Sequence, residues 1–274
     1  MSLFTIDKNA CTACGNCVAE CPIMIIAMPD KETGPIPVKN ADALCIDCGH
    51  CVAVCPHDAL DHRCGSPADL PLVNKEARLD PAMAEQFLRQ RRSIRTYRDK
   101  PVELDLLQQV VRVARYAPSG HNTQPVKWLI IHDTQKVRKM TGLVVDWMKD
   151  TMEKNPDMAR MMHFDMLTKG WDFGIDAVCR STPHLVIAYG QKQNPMARDA
   201  STIALSYFEL AAYSFGLGSC WAGYFSTAAN LWEPLKNELN LPEGHVTMGT
   251  MMVGYPKYRY RRLPERNDPD VTVL

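Results

Sequence analysis

The chain has 274 residues, 46% of them hydrophobic, with 31 Lys+Arg balanced by 31 Asp+Glu. That length can bury more than one core. The zero formal charge gives no case for a nucleic-acid partner, and no apolar run reaches the roughly 18 residues a membrane-spanning helix needs.

The chain opens with two related cysteine runs, Cys11-Thr12-Ala13-Cys14-Gly15-Asn16-Cys17 closing at Cys21-Pro22, and Cys45-Ile46-Asp47-Cys48-Gly49-His50-Cys51 closing at Cys55-Pro56. They are an internal repeat. Each has the bacterial spacing C-x2-C-x2-C-x3-C-P, in which three close thiolates hold one 4Fe-4S cluster and the fourth reaches the other cluster. The expected ligand sets are therefore Cys11, Cys14, Cys17 and Cys55, and Cys45, Cys48, Cys51 and Cys21. A single structural zinc would use four thiolates and leave the x3-C-P endings unexplained. Disulfides belong to oxidising compartments, and no secretory signal is recognisable before Cys11. A cytoplasmic setting is expected.

Residues 1–62 resemble a bacterial two-cluster ferredoxin, with short helical turns expected over 13–20 and 49–54 and a turn over 30–35. Residues 1–60 carry three Lys/Arg against seven Asp/Glu, so the balance of charge hides an acidic start and a basic remainder. His57 and His62 follow the second run closely and could tune a cluster through hydrogen bonds, or simply face solvent. Residues 63–80, with Gly65, Pro67 and Pro71, read as a linker. The second domain is expected over 81–274.

That domain begins with a helix predicted over 81–91. The basic stretch Arg91-Arg92-Ser93-Ile94-Arg95 follows, in which guanidinium forks and a hydroxyl match phosphate oxygens. An amphipathic helix is predicted over 104–116, then a loop, Pro118-Ser119-Gly120-His121-Asn122-Thr123-Gln124-Pro125, rich in turn formers and amides. Between 144 and 176, Met148, Met152, Met158, Met161, Met162 and Met166 accompany Trp147, Trp171 and Phe173. Methionine adapts to irregular or planar partners, so this segment reads as a lid over a ligand or as an ordinary core helix. A helix predicted over 199–215, apolar on nearly every side, is expected to be buried, with Asp199 as its N-cap. Gly216-Leu217-Gly218-Ser219, a strand over 246–253 and Gly254-Tyr255-Pro256 with trailing basic residues complete the series. Cys64, Cys179 and Cys220 fall outside the ligand pattern and read as buried small hydrophobes.

Taken in this order, R-R-S-x-R, P-S-x-x-N-x-Q-P, G-L-G-S and G-Y-P resemble the nitroreductase family of flavoproteins over about residues 85–265. The whole chain resembles a ferredoxin-nitroreductase fusion. The resemblance implies an α+β fold, a mixed antiparallel sheet flanked by helices, and a homodimer binding FMN at its subunit interfaces. It further implies that Arg91, Ser93 and Arg95 hold the FMN phosphate and ribityl chain, with Arg92 beside them. Pro118, Ser119 and Asn122 match the loop that reaches FMN, and Gln124 the ring edge. The Ala222 and Gly223 backbone matches the segment facing N5 of the flavin. Arg259 and Arg262 match the C-terminal phosphate contacts, Arg261 being the alternative.

The expected function is an oxidoreductase that takes electrons through two 4Fe-4S clusters and reduces an electron-poor small molecule from FMN. The alternatives are an electron-transfer adaptor or redox sensor, and a specialised FMN reductase such as a dehalogenase. The donor is expected to be a ferredoxin-like protein or NAD(P)H. No G-x-G-x-x-G marks a Rossmann site.

Overall fold

A computed structural model describes residues 2–274. The chain divides into two compact units. One holds the residues up to Arg78 together with Gly120–Thr123, and the other holds Leu79–Ser119 and Gln124–Leu274. The segment read as a linker thus lies largely with the first unit, as do four residues of the amide-rich loop.

In the first unit, β1 (Phe4–Ile6) precedes α1 (Asn16–Ala19), β2 (Ile26–Ala27), β3 (Ile36–Pro37), α2 (Ala41–Leu44), α3 (His50–Ala53) and β4 (Leu60–His62). β1 pairs antiparallel with β4, and β2 with β3. The repeat is conformational as well as chemical. Ala13 and Asp47 both have φ 50, Gly15 and Gly49 have φ 82 and 72, and Met24 and Asp58 have φ 55 and 52. These left-handed residues curl each run back on itself, and glycine takes up that conformation without steric cost. The two helical turns are single turns, shorter than expected, because each stops where the fourth cysteine must turn away. A small apolar core of Leu3, Phe4, Ile25, Ile26, Val52 and Leu60 lies beneath them. So small a core needs a further staple.

In the second unit, α4 (Pro81–Gln90) is capped by Asp80, whose carboxylate accepts from Met83 N–H at 2.8 Å. After it come α5 (Leu104–Ala114), β5 (Lys127–Ile131), α6 (Thr134–Lys154), α7 (Pro156–Met161) and α8 (Phe164–Asp172). The remaining elements are β6 (His184–Gln191), α9 (Ala197–Ser214), β7 (Gly218–Trp221), α10 (Gly223–Leu231), α11 (Glu233–Leu239) and β8 (His245–Gly254). The sheet order is β5-β6-β8-β7, and every neighbouring pair is antiparallel.

The central strand β6 is apolar without alternation because both its faces are covered. Leu185 and Ile187 face a core with Val144, Met148, Phe164 and Phe225. Val186 and Ala188 face another with Leu107, Val110, Leu205 and Phe208. Alternate side chains of one strand thus feed two cores, as the pleat requires. Burying each of these large side chains contributes roughly 1.5–3 kcal/mol.

Two expectations are corrected here. α9 begins at Ala197, so Asp199 sits inside its first turn, where its charge still suits the helix dipole, and is not the cap. Its burial is also one-sided: Leu205, Phe208 and Ala212 are fully buried, whereas Ile203 and Tyr207 are 38% and 41% exposed. Among the described residues no helix is long and apolar enough to cross a membrane.

Candidate functional site

Two cavities occupy the first unit. One, about 350 Å³ including its opening to solvent, is walled by Cys11, Cys14, Cys17 and Cys55. The other, about 380 Å³, is walled by Cys45, Cys48, Cys51 and Cys21. Each cavity therefore gathers three cysteines of one run and the last cysteine of the other. Backbone amides reach the two crossing sulfurs in matching fashion, Ile25 N–H to Cys21 Sγ at 3.5 Å and Ala59 N–H to Cys55 Sγ at 3.3 Å. Burial pushes the Cys17 and Cys45 thiols up and the Cys51 thiol up to about 12. Thiols pushed up by burial in this way keep their protons unless a positive centre lies against them. Iron supplies that charge and takes the thiolate.

Around the second cavity the loop after Cys45 is clamped. Arg63 grips the Asp47 carboxylate through two bonds, at 2.7 and 3.2 Å, and also donates to Asp42 O at 3.1 Å. That pairing holds the Asp47 carboxyl below its usual range. Asn122 belongs to the same unit: its amide donates to Ile46 O and Asp47 O at 3.1 and 3.0 Å. The Asn122 amide expected on a flavin ring is therefore engaged on backbone carbonyls of this loop.

In the second unit, three of the four remaining motifs meet. The Arg91–Arg95 stretch runs beside β7: Ser93 bridges Ser219, and Ile94 N–H donates to Ser219 O at 2.9 Å. Gly218 allows this closeness. A Cβ there would stand 2.6 Å from Ile94 Cγ1 and 2.7 Å from Ile94 Cβ. Tyr97 bridges Pro256, and Gly254 leaves room for it, since a Cβ there would meet the Tyr97 ring at 2.8 Å. Tyr255 is held by its hydroxyl, which donates to Glu103 at 2.6 Å. The G-L-G-S and G-Y-P motifs thus act as packing surfaces for the basic stretch.

Arg91 is partly committed. Its Nη1 donates to Glu209 Oε1 at 2.9 Å, and Glu209 is a buried carboxylate on α9 whose burial raises its pKa while Arg91 lowers it. Sequence reasoning missed Glu209, although one acid within the apolar run Ser206-Tyr207-Phe208-Glu209-Leu210-Ala211 is a signal for a buried partner. Arg92 and Ser93 are half-buried and Arg95 is exposed, its Nη1 reaching Ser93 O at 3.4 Å. Ser119 Oγ accepts from Gln124 N–H at 2.9 Å, closing the amide-rich loop, with Pro118 exposed beside it.

At the other end of β7, Ala222 is buried and its N–H donates to Thr250 O at 2.8 Å, so that group is engaged in the sheet and is not free to face a flavin. Gly223 opens α10, and a Cβ on it would meet nothing within 4 Å. The first N–H groups of a helix lack intrahelical acceptors, so α10 offers donors at this edge. Arg259, Arg261 and Arg262 lie beyond β8, all exposed and outside any strand, so the choice between strand faces does not arise.

The methionine-rich segment resolves against a simple lid. Met148 is fully buried, and Met152, Met158 and Met162 pack against the core beside Trp147 and Phe164, whose rings meet edge to face at 5.1 Å. Met161, Met166 and Phe173 are exposed. Cys179 and Cys220 are buried as expected, but Cys64 is exposed.

Two thiol-walled cavities on one unit, and a basic stretch laid along an antiparallel sheet on the other, define a two-part redox protein of the α+β class. Residues 88–255 match the model of the nitroreductase family, residues 10–60 match that of the 4Fe-4S dicluster domain, and the chain belongs to the nitroreductase family. It is similar to an iodotyrosine deiodinase of Thermotoga neapolitana, 26% identical over half of this chain and 72% of that protein. It is similar also to a chloronitrobenzene nitroreductase of Comamonas testosteroni, 25% identical over 62% of this chain and 86% of that one. Among solved structures, an FMN-bound nitroreductase of Bacteroides fragilis shares the fold, with TM-score 0.56 and 21% identity, covering 69% of this chain and 97% of that one.

Proposed function

We propose that the chain is an FMN-dependent oxidoreductase that receives electrons singly through two 4Fe-4S clusters and reduces an electron-poor small molecule. The observation that carries this reading is the pair of cavities, each walled by four thiols in the crossed arrangement, in a chain whose larger unit belongs to the nitroreductase family. When bound, the clusters supply electrons one at a time and FMN accepts them and delivers two.

The chain's own residues then divide the work. Cys11, Cys14, Cys17 and Cys55 hold one cluster; Cys45, Cys48, Cys51 and Cys21 hold the other. Ser93 and Arg95 offer a hydroxyl and a guanidinium to the FMN phosphate and ribityl chain, as donors that fit a phosphate. Arg91 contributes with one face of its fork while Glu209 fixes the other, and Arg92 adds positive charge. Gly223, at the open first turn of α10, offers backbone donors to the flavin ring. Pro118, Ser119 and Gln124 shape the loop, and Arg259 and Arg262 are the mobile-length cations able to close over the phosphate. The chain acts as a homodimer in this reading, supported by Ile203 and Tyr207, apolar, exposed and one turn apart on α9. The donor is a ferredoxin-like protein or NAD(P)H, and the setting is cytoplasmic.

The acceptor is a nitroaromatic, a quinone or a compound of similar electron demand. A second reading, reductive dehalogenation, draws on the likeness to a deiodinase. The test is to purify the chain anaerobically, count iron, sulfide and FMN, and follow turnover of nitroaromatic, quinone and halogenated aromatic panels with a reduced ferredoxin or NAD(P)H. Eight irons and bound flavin with turnover of the first two classes support the proposal. Zinc in place of iron, or no flavin, refutes it; turnover of halogenated compounds alone favours the second reading.

A further inference from the structure

The two cavities repeat each other at an offset of 34 residues, so the positions where they differ are informative. Met28 lines the first, and its counterpart His62 lines the second. His62 is only 6% exposed, held at the end of β4 by pairing with Phe4. Its Nδ1 accepts the Cys64 backbone N–H at 3.1 Å. An amide N–H can only donate, so Nδ1 bears no hydrogen and the ring proton sits on Nε2. That nitrogen is 3.5 Å from Cys45 Sγ. Geometry alone thus makes His62 a donor to a wall thiolate of the second cavity. His57, at the first cavity, is exposed.

We infer that His62 donates its Nε2–H to the Cys45 thiolate and sets the second cluster at a higher potential than the first, making it the station on which electrons settle. This rests on the two-cluster reading above. Reduction places additional negative charge on a cluster and its sulfurs, and a donor aimed at one of those sulfurs stabilises the reduced form more than the oxidised form. The Asp47 carboxylate, also near Cys45, works in the opposite sense, but Arg63 neutralises it through its two-bond grip. The Asp47 backbone N–H also donates to Cys45 Sγ at 3.5 Å, and the ring adds the side-chain donor that the first cavity, with Met28 in its place, lacks. His62 is a positioning residue, acting through Cys45.

The experiment is a potentiometric titration of the anaerobic holoprotein, followed by electron paramagnetic resonance, with iron counted on every sample. Two midpoints are expected in the wild type. His62→Phe should lower the higher one by about tenfold in the ratio of reduced to oxidised cluster at fixed potential, about 59 mV for one electron, and leave the lower one in place. His62→Gln, which returns an N–H near the Nε2 position, should recover most of the shift. Wild-type protein labelled with 15N-histidine should show nitrogen coupling to one of the two reduced clusters. His62→Phe with eight irons and unchanged midpoints overturns the inference, as does His62→Gln falling as far as Phe. If the Phe variant fails to load, absence of the 15N coupling in the wild type overturns it. A wild-type chain lacking iron is a separate result, which refutes the two-cluster reading itself.

Discussion

Gly218→Ala concentrates the link between packing and cofactor binding into one methyl group. The new Cβ would stand 2.6, 2.7 and 2.8 Å from Cγ1, Cβ and Cγ2 of Ile94, all well inside contact distance. Neither partner can step aside freely. Gly218 is paired with Gly254 in the sheet, and Ile94 N–H is bonded to Ser219 O. Overpacking of this kind costs about 1–3 kcal/mol, and the softest way to relieve it is to lift the segment carrying Ser93 and Arg95 off β7. If that displacement is drawn from the energy of holding FMN, the affinity falls by about 5- to 150-fold. Fluorescence titration of FMN into flavin-free protein measures this directly, and the iron content should not change. On the Gly218→Ala background, Ile94→Ala removes two of the three close contacts and leaves the one to Cβ, so it should restore part of the loss. Wild-type FMN affinity in Gly218→Ala, or no recovery at all in the double variant, would refute the reasoning.

Cys21→Ala should empty the cavity of the second run, not the first, lowering iron from about eight to about four per chain while Cys11, Cys14, Cys17 and Cys55 keep their cluster; loss confined to the first cluster would contradict the crossed arrangement. Arg91→Ala should weaken FMN retention at unchanged iron, and strand the buried Glu209 carboxylate at a cost of roughly 3 kcal/mol; adding Glu209→Gln should return the stability but not the flavin, as urea melts and flavin content would show. Acid should destabilise the second unit through His184, which is fully buried, accepts Val102 N–H at Nε2 and donates from Nδ1 to His132 O, both at 2.7 Å. Burial holds its pKa down to about 4 against an ordinary 6.5. The unfolded chain therefore takes up a proton that the folded chain refuses. The ring's contribution is complete above about pH 7 and is lost as pH falls from 6.5 toward 4, a loss of about 2 kcal/mol by pH 5. Denaturant melts at pH 7 and 5 would show this, and a His184→Gln variant with the same pH slope as the wild type would rule it out.

Much of the first unit was legible because its chemistry is local. The spacing of eight cysteines within 45 residues dictates which thiols can converge, and the repeated left-handed residues follow from the tight curl that convergence demands. Two helices of the second unit were also readable from periodicity, since α5 and α9 each bury an apolar stripe in the core shared with β6, whereas α4, with no buried residue, was readable from its Asp80-Pro81 start. What could not be read depends on contacts distant in sequence. The Arg91 partner lies 118 residues away. The Ala222 N–H is taken by Thr250, and nothing near Ala222 announces it. Asn122 stands in the motif that resembles a flavin loop, and only the fold shows that its amide also donates to Ile46 O and Asp47 O. The methionines of 144–176 divided between core and surface according to which side of α6, α7 and α8 they occupy, a choice made by the neighbouring helices.

The exchange of Cys21 and Cys55 between the cavities has a temporal side. Neither half of the repeat can complete a cage alone, so no finished site exists on a growing chain until Cys51 has left the ribosome, and the cage begun by the first run is the last to close, waiting for Cys55. Iron offered earlier meets only three thiols of the first run and a misplaced fourth. Assembly of both centres is then late, in the reverse of the order in which the runs are made, and a chain arrested or cut between the runs carries none of the finished wiring.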